Sequence, residues 1–417
     1  MSFLDKLLEG ITVEWKALGD LVDIANIGVD KKINPDEKEV RLLNFTDVFK
    51  NQYISNDIPT MVVTASERKI IDCNVKKGDV FITPSSELID EIGFSAMAIE
   101  DFNNVVYSYH IMRLRINDQN ILYPAFLNYL FNSTDIRKQI RKKAQGLTRF
   151  GLTQPNWKSI QIPIPPLEIQ KKIVTILDTF TELTAELTAE LTARKQQYHY
   201  YREQLFCFDE DKIQHLPMGD ENVGEFQRGK RFVKTDLITE GVPTIHYGEM
   251  YTYYGTWADK TKSFVSKDLV KNKNLRLAQK GDIVIVAAGE TIDDIGKGTA
   301  WLGEEGVVIH DACFSYKTIL NPKFVSYFTR TKQFHDQIKK HISSGKISAI
   351  NLNGLGKAII PIPSKEEQEL IVSILDQFDT LTTSISEGLP KEIELRKKQY
   401  EYFRDLLLTF PNYNTEA

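Results

Sequence analysis

The sequence predicts an α+β protein built on one plan used twice: a globular domain of mixed α/β character followed by a long helix, with the two helices pairing as a coiled coil. Three observations carry the prediction. The first is a helix-forming tract of three near-identical four-residue units, residues 181–184, 185–188 and 189–192, each reading Thr or Ala, then Glu, Leu and Thr. Glu, Ala and Leu are strong helix formers, and no Gly or Pro interrupts residues 167–206. The second is the block Gln-x-x-Ile-Val-x-Ile-Leu-Asp-x-Phe, which begins at Gln170 and again 198 residues later at Gln368. The third is a pair of motifs shared by the globular stretches. Lys77-Gly78-Asp79-Val80 matches Lys280-Gly281-Asp282-Ile283, and Ile89-Asp90-Glu91-Ile92-Gly93 matches Ile292-Asp293-Asp294-Ile295-Gly296. Matched blocks in one order, at nearly one spacing, mark two tandem copies.

Short apolar runs bounded by turn residues predict strands at 40–43, 61–63, 80–83, 105–109 and 112–114. Residues 123–131 and 135–144 read as helices, the second carrying Arg137, Lys138, Arg141, Lys142 and Lys143. A loop over 145–151 follows, and Ile162-Pro163-Ile164-Pro165-Pro166 predicts an extended stop before the long helix. That helix, 166–206, is expected to run roughly 60 Å at 1.5 Å per residue. Its apolar positions Ile169, Ile173, Ile176, Phe180, Leu183 and Leu187 alternate steps of four and three, the spacing of a coiled-coil seam. Leu191 adds a second step of four, a stutter that locally unwinds the supercoil. A helix of this length needs a partner to cover its seam, and the second copy supplies one. There Ile360-Pro361-Ile362-Pro363 precedes the repeated block, and Arg396-Lys397-Lys398-Gln399-Tyr400 answers Arg194-Lys195-Gln196-Gln197-Tyr198. Gly388-Leu389-Pro390 interrupts this second helix, so a kink or break is expected near 388–390. The last few residues, beyond Phe410, are expected to be loose.

A chain of 417 residues is too long for one core. Its 42% hydrophobic and 26% charged residues are those of a soluble globular protein, and no apolar run approaches a membrane span. The first residues carry acids early and lack an apolar segment, so no secretory leader is expected. Cys73, Cys207 and Cys313 lie far apart, which fits a reducing cytoplasm and offers no thiolate metal site. The net charge of −5 looks wrong for a nucleic-acid binder, but its distribution is uneven. Residues 211–360 hold 21 Lys and Arg against 17 Asp and Glu, whereas 361–417 hold 6 against 11. The acid sits on the helices and the globular parts are neutral to basic, which permits DNA binding there.

Catalytic signatures are absent from the sequence. There is no Asn/Asp-Pro-Pro-Tyr/Phe methyltransferase segment and no G-x-G-x-x-G. Gly296-Lys297-Gly298-Thr299 has Gly where a phosphate loop needs Ser or Thr after Lys. The histidines are dispersed; His246 and His310 follow isoleucines in apolar runs and read as satisfied core residues rather than ligands. Three basic clusters stand out instead. Lys142, Lys143, Gln145, Thr148 and Arg149 fall close together, and Arg228, Lys230, Arg231 and Lys234 open the second globular half. Lys339, Lys340, His341, Ser343, Ser344 and Lys346 answer the first cluster, just ahead of the second Ile-Pro-Ile-Pro. Lys and Arg neutralise phosphates, and Arg, Lys and Gln read base edges. Any one of these residues also suits a solvated helix face. Recurrence at equivalent places favours DNA contact.

On the paired Ile-Pro-Ile-Pro and Gln-x-x-Ile-Val-x-Ile-Leu-Asp blocks, the whole chain resembles the specificity subunit of a type I restriction–modification system. The Thr-Ala-Glu-Leu-type repeat resembles the IC subgroup. The resemblance implies two target recognition domains, here 1–160 and 209–360, each binding one half of a bipartite double-stranded DNA site. It implies two long antiparallel helices, 161–208 and 361–417, in a pseudo-twofold internal repeat, with Leu183, Leu187 and Leu191 on the spacer helix. It implies a non-catalytic, cytoplasmic subunit that binds no cofactor itself. Two methyltransferase subunits using S-adenosylmethionine would dock on it, joined by endonuclease/translocase subunits using ATP and Mg. The halves differ between their shared blocks, so the DNA site is expected to be asymmetric. The residues leave one alternative open: a coiled-coil scaffold with two protein-binding lobes and no DNA role.

Overall fold

The structure is a computed structural model that describes residues 11–411. The leader expectation over residues 1–10 and the loose tail expected beyond 411 lie outside the described residues. The chain divides into two compact units, Met1–Glu186 with Ile393–Ala417, and Leu187–Glu392.

In the first unit a central sheet orders Val22–Ala25, Met112–Ile116, Val80–Ile82, Ser95–Ala98 and Tyr53–Ile54. Neighbours are antiparallel except the last pair, which is parallel. A smaller sheet orders Met61–Ala65, Lys38–Leu43 and Val105–Tyr107. Phe81, Ala96 and Ala98 share a core with Val40, Leu42 and Tyr107 of the smaller sheet. Val80, Ile82, Met112 and Leu114 join a different core, with helices α1 (Pro124–Leu130) and α2 (Thr134–Lys143). Successive residues of the strand Val80–Ile82 thus serve two cores, which is why it is apolar throughout. The Ile-Pro-Ile-Pro stop is itself a strand, Gln161–Ile164, paired antiparallel with Glu14–Ala17.

Helix α3 (Leu167–Leu205) follows, and its first turns explain the repeated block. The Gln170 side-chain amide donates to the Ile121 and Pro165 carbonyls and accepts from the Tyr123 amide, each at 2.8 Å. Asp178 accepts from the hydroxyls of Tyr53 at 2.5 Å and Tyr129 at 2.6 Å. Between them Ile173 and Leu177 are fully buried.

The second unit repeats the plan. Its central sheet orders Gly224–Arg228, Cys313–Thr318, Ile283–Val286, Gly298–Trp301 and Trp257–Ala258, again parallel only at the last pair. The smaller sheet gains one strand, Leu277–Ala278, beside Val307–Ile309, Val242–Ile245 and Ser263–Val265. His215–Pro217 pairs with Ile359–Pro361. Helices α4 (Pro322–Phe328) and α5 (Lys332–Lys339) stand where α1 and α2 stood, and α6 (Lys365–Thr383) carries the second block. Gln368 accepts from the Asn321 amide at 2.7 Å and donates to the Pro363 carbonyl at 2.9 Å. Asp376 accepts from the Tyr327 hydroxyl at 2.7 Å and the Lys323 ammonium at 2.8 Å.

The chain passes from the first unit to the second inside α3 and returns inside the last helix, α7 (Leu389–Leu408). Within the first unit Phe180 of α3 stacks on Phe403 of α7, ring centroids 5.2 Å apart. Within the second, Tyr198 and Tyr201 of α3 stack on Phe378 of α6 at 6.0 and 5.6 Å. The partner helix the seam requires is therefore present in each unit.

One feature of the helices differs from expectation, and another decides between the kink and the break expected near 388–390. The buried positions of α3 are Ile169, Gln170, Ile173, Val174 and Leu177, while Ile176 is half-buried. The start of α3 shares a core with α1 and α2 as well as α7, so it buries a broad face rather than a two-helix seam. Farther on, Leu183 is exposed, Leu187 and Leu191 are half-buried, and no residue of the four-residue repeat is buried. The second helical region is broken rather than kinked. Its first helix stops at Thr383, the next starts at Leu389, and Gly388 between them holds φ at 82°. Pro390 then falls in the first turn of α7, where its missing N–H interrupts no helical bond.

Candidate nucleic-acid interface

The Ile-Asp-x-Ile-Gly motif is one turn of 3-10 helix closing on a left-handed glycine, Gly93 at φ 77° and Gly296 at φ 89°. A Cβ at Gly93 would lie 2.7 Å from the Ile140 side chain, and one at Gly296 would lie 2.4 Å from that of Ile338, so only glycine fits against α2 and α5. A two-residue strand precedes each turn, Ser85–Ser86 or Ala288–Gly289. The basic loops fasten to these strands. In the first unit reciprocal Gln145–Gly151 backbone bonds of 2.9 Å close the loop, and Phe150–Gly151 pairs with Ser85–Ser86. In the second, Ile342–Ser343 and Ser348–Ile350 form a hairpin on Ala288–Gly289.

An open cleft lies beside each loop. The cleft of the first unit holds about 500 Å³, and its walls include Lys31, Phe45, Ser86, His110 and Arg149. The cleft of the second holds about 450 Å³, and its walls include Arg231, Phe232, His246, Tyr247, His310 and Ile347. Both draw on the same stations: the segment after the edge strand, the residues opening a short helix, the turn at 110 or 310, and the fastened loop.

Of the basic residues singled out in the sequence, Arg149, Arg231 and Lys234 line these clefts. The Arg149 guanidinium donates to the Ser85 hydroxyl at 3.1 Å. Lys142, Gln145 and Thr148 are exposed and Lys143 is half-buried, all outside the cleft walls. Lys339, Lys340, Ser344 and Lys346 are exposed, and Ile347 beside Lys346 reaches the second cleft. Arg228 donates to the Asp311 carbonyl at 3.0 Å, and the Lys230 amide donates to the Ile309 carbonyl at 3.3 Å, so both are tied to the turn carrying His310. Arg137 is engaged inside the fold, donating to the Asp90 and Ile92 carbonyls. Lys297 pairs with Asp294 at 2.6 Å, so the segment resembling a phosphate loop is a salt-bridged turn.

The sequence pattern did not single out Lys31, Phe45, His110 or Tyr247, and it put His246 and His310 in the core. Both histidines are hydrogen-bonded, as expected, but they stand in a cleft wall with ring centroids 4.9 Å apart. The available signal was the repeat itself, since Asn44 and His246 lie 202 apart and His110 and His310 lie 200 apart.

Burial holds His246, His310 and His335 in the second unit, and His110 in the first, below the ordinary histidine range. Around His246, His310 and Lys234 add to burial and Glu249 opposes it; around His310, Arg231 adds, while Asp311 and the Phe232 carbonyl oppose. Such groups stabilise the fold above the unfolded value and lose that contribution as pH falls through the folded one. As pH falls below about 6.5 the unfolded chain therefore takes up protons that the folded chain refuses. The melting temperature is expected to fall over that range, with the second unit becoming protease-sensitive first. A melt unchanged across it would contradict this.

Among the described residues no group of three or more His, Cys, Asp or Glu is placed to hold a metal ion, and no helix is long and apolar enough to cross a membrane. Residues 11–194 and 221–395 each match the family described as the type I restriction modification DNA specificity domain. The chain belongs to that family. It is 31% identical to the specificity subunit of the type I restriction enzyme EcoR124I/EcoR124II of Escherichia coli, covering 100% of this chain and 98% of that one. It is 26% identical to the EcoprrI specificity subunit of Escherichia coli, covering 93% and 92%. A chain from a structural study of type I restriction–modification complex assembly and conformational transition shares the fold, with a TM-score of 0.61 at 15% identity over 95% of this chain and 97% of that one. As a type I specificity chain, the protein acts in DNA sequence recognition.

Proposed function

We propose that the two target recognition domains, 1–160 and 209–360, each bind one half of an asymmetric bipartite duplex site, and that α3 gauges the spacing between the halves. The observation that carries this is the pair of cleft-and-loop sites at equivalent stations, with Arg149 and Arg231 in their walls and Lys142, Lys339, Lys340 and Lys346 exposed on the same loops and helices. The walls differ, Phe45 and Arg149 against Tyr247 and Ile347, which favours two different half-sites. The chain reads DNA without cutting or methylating it. Two methyltransferase subunits bring S-adenosylmethionine, and endonuclease/translocase subunits bring ATP and Mg, in the cytoplasm. The four-residue repeat favours the IC subgroup.

The full chain, combined with its methyltransferase subunits, is expected to retain duplex DNA selectively and to release it steeply as salt rises. Mapping methylated adenines in cells with and without the chain gives the two half-sites. A complex without sequence preference overturns the proposal, and a scaffold would retain proteins but not duplex DNA. Arg149→Ala is expected to weaken binding to the first half-site about tenfold while mismatch penalties in the second stay unchanged. Equal losses on every sequence would make Arg149 a phosphate anchor, and no loss would remove it from the interface.

A further inference from the structure

We infer that His246 is a base-reading residue of the second half-site, donating a hydrogen bond to an acceptor on a base edge. The inference rests on the DNA-reading function proposed above. His246 follows the strand Val242–Ile245 and opens the turn into the helix Glu249–Thr252. Its Nδ1 accepts from the Gly248 amide at 3.2 Å, and its own amide donates to the Glu249 carboxylate at 3.2 Å. Asn44 does the same work in the first unit. Its Oδ1 accepts from the Thr46 amide at 2.8 Å, and its amide donates to the Asp47 carboxylate at 2.9 Å.

This local bonding settles which ring nitrogen carries the proton. With Nδ1 occupied as an acceptor, the neutral imidazole holds its hydrogen on Nε2. The ring stands in the cleft wall, 5.9 Å from Phe232 and 4.9 Å from His310. Tyr247, 4.6 Å away, shares the same wall, but Phe232 and His310 do not compete as readers. Phe232 offers only an apolar ring. His310 uses both nitrogens inside the protein: Nε2 donates to the Phe232 carbonyl at 3.0 Å and Nδ1 accepts from the Ala312 amide at 3.1 Å. His246 thus brings a donor of fixed polarity to the cleft, flanked by Arg231 and Lys234, which suit backbone phosphates. Such a donor pairs with guanine O6 or N7, adenine N7 or thymine O4, and is refused by the amino group of cytosine. The bland role, a capping side chain and nothing more, is what Asn would fill equally well.

That equivalence supplies the test. His246→Asn keeps the bonding pattern that Asn44 already provides, but shortens the reach of the outer donor. The full chain with its methyltransferase subunits is assayed on duplexes randomised in one half-site at a time. The variant is expected to lose about tenfold preference at one base pair of the second half-site and to keep the first half-site profile. His246→Gln is assayed alongside, so that a folding defect in one variant does not decide the result. Preference retained at every position overturns the inference, as does a loss equal across all sequences, which would make His246 a phosphate contact. A wild-type complex without preference in either half would instead overturn the DNA-reading function itself.

Discussion

Asp178→Ala is expected to destabilise the first unit by about 3–5 kcal/mol. One carboxylate accepts two phenolic hydroxyls, from Tyr53 on the sheet edge and from Tyr129 on α1, and thereby joins α3 to both. Burial, reinforced by Asp178 itself, pushes both phenols far above the ordinary tyrosine range, so they stay protonated and donate. Removing the carboxylate strands two donors at a packed junction, and each hydrogen bond to a charged acceptor is worth about 1.5–3 kcal/mol. Asp178→Asn keeps one acceptor oxygen and is expected to cost about half as much. Asp376→Ala in the second unit should cost less than Asp178→Ala. It strands the fully buried Tyr327, but Lys323 still lies 4.5 Å above the Trp257 ring and is partly exposed. Each unit carries two tryptophans, Trp15 and Trp157 in the first, Trp257 and Trp301 in the second, so pairwise replacement by Phe leaves one unit's signal at a time. A urea melt followed by their fluorescence would refute the assignment if Asp178→Ala cost under about 1 kcal/mol.

The repeated block was legible because the residues that dock a helix are chemically particular. Gln170 and Gln368 each close the end of the preceding strand, and Asp178 and Asp376 each hold a tyrosine, so the same residue types stand in both copies. The apolar strands of the first half were legible for a related reason. Both faces of Val80–Ile82 are covered, and alternation could not hide it. The clefts were not legible, because their walls come from segments that meet only through sheet topology. Arg231, Ala288, His310 and Ile347 span most of the second unit in sequence. His246 was misplaced in the core because an apolar run shows that a residue is sheltered, not which side of the sheet edge shelters it. The broad burial of Val174 and Leu177 was missed for a different reason. Seam spacing describes a helix that meets one other helix, and the start of α3 meets a globular core as well.

Deleting residues 185–188 is expected to shorten the preferred spacer between half-sites by one or two base pairs and to leave both half-site sequences intact. Four helical residues span roughly 6 Å, and DNA rises about 3.4 Å per base pair. Four residues also turn the helix by about 400°, within about 40° of register, so the faces of α3 on either side keep nearly their original bearing. Burial makes the deletion tolerable. None of the residues from 181 to 193 is buried, so removing one unit opens no cavity, in contrast to the tract from Ile169 to Leu177. The threonine hydroxyls of the repeat bond to the carbonyl four residues earlier, as Thr184 does to Phe180 and Thr192 to Thr188, and such bonds re-form after a four-residue deletion. Deleting one or two residues is a different experiment. It turns one end of α3 by about 100–200° against the other, so the faces that stack on Phe403 and on Phe378 no longer suit the returning helices. Loss of soluble complex is expected there, rather than a new spacing. A methylation map with unchanged spacing after the four-residue deletion would show that something other than the length of α3 sets the distance between the half-sites.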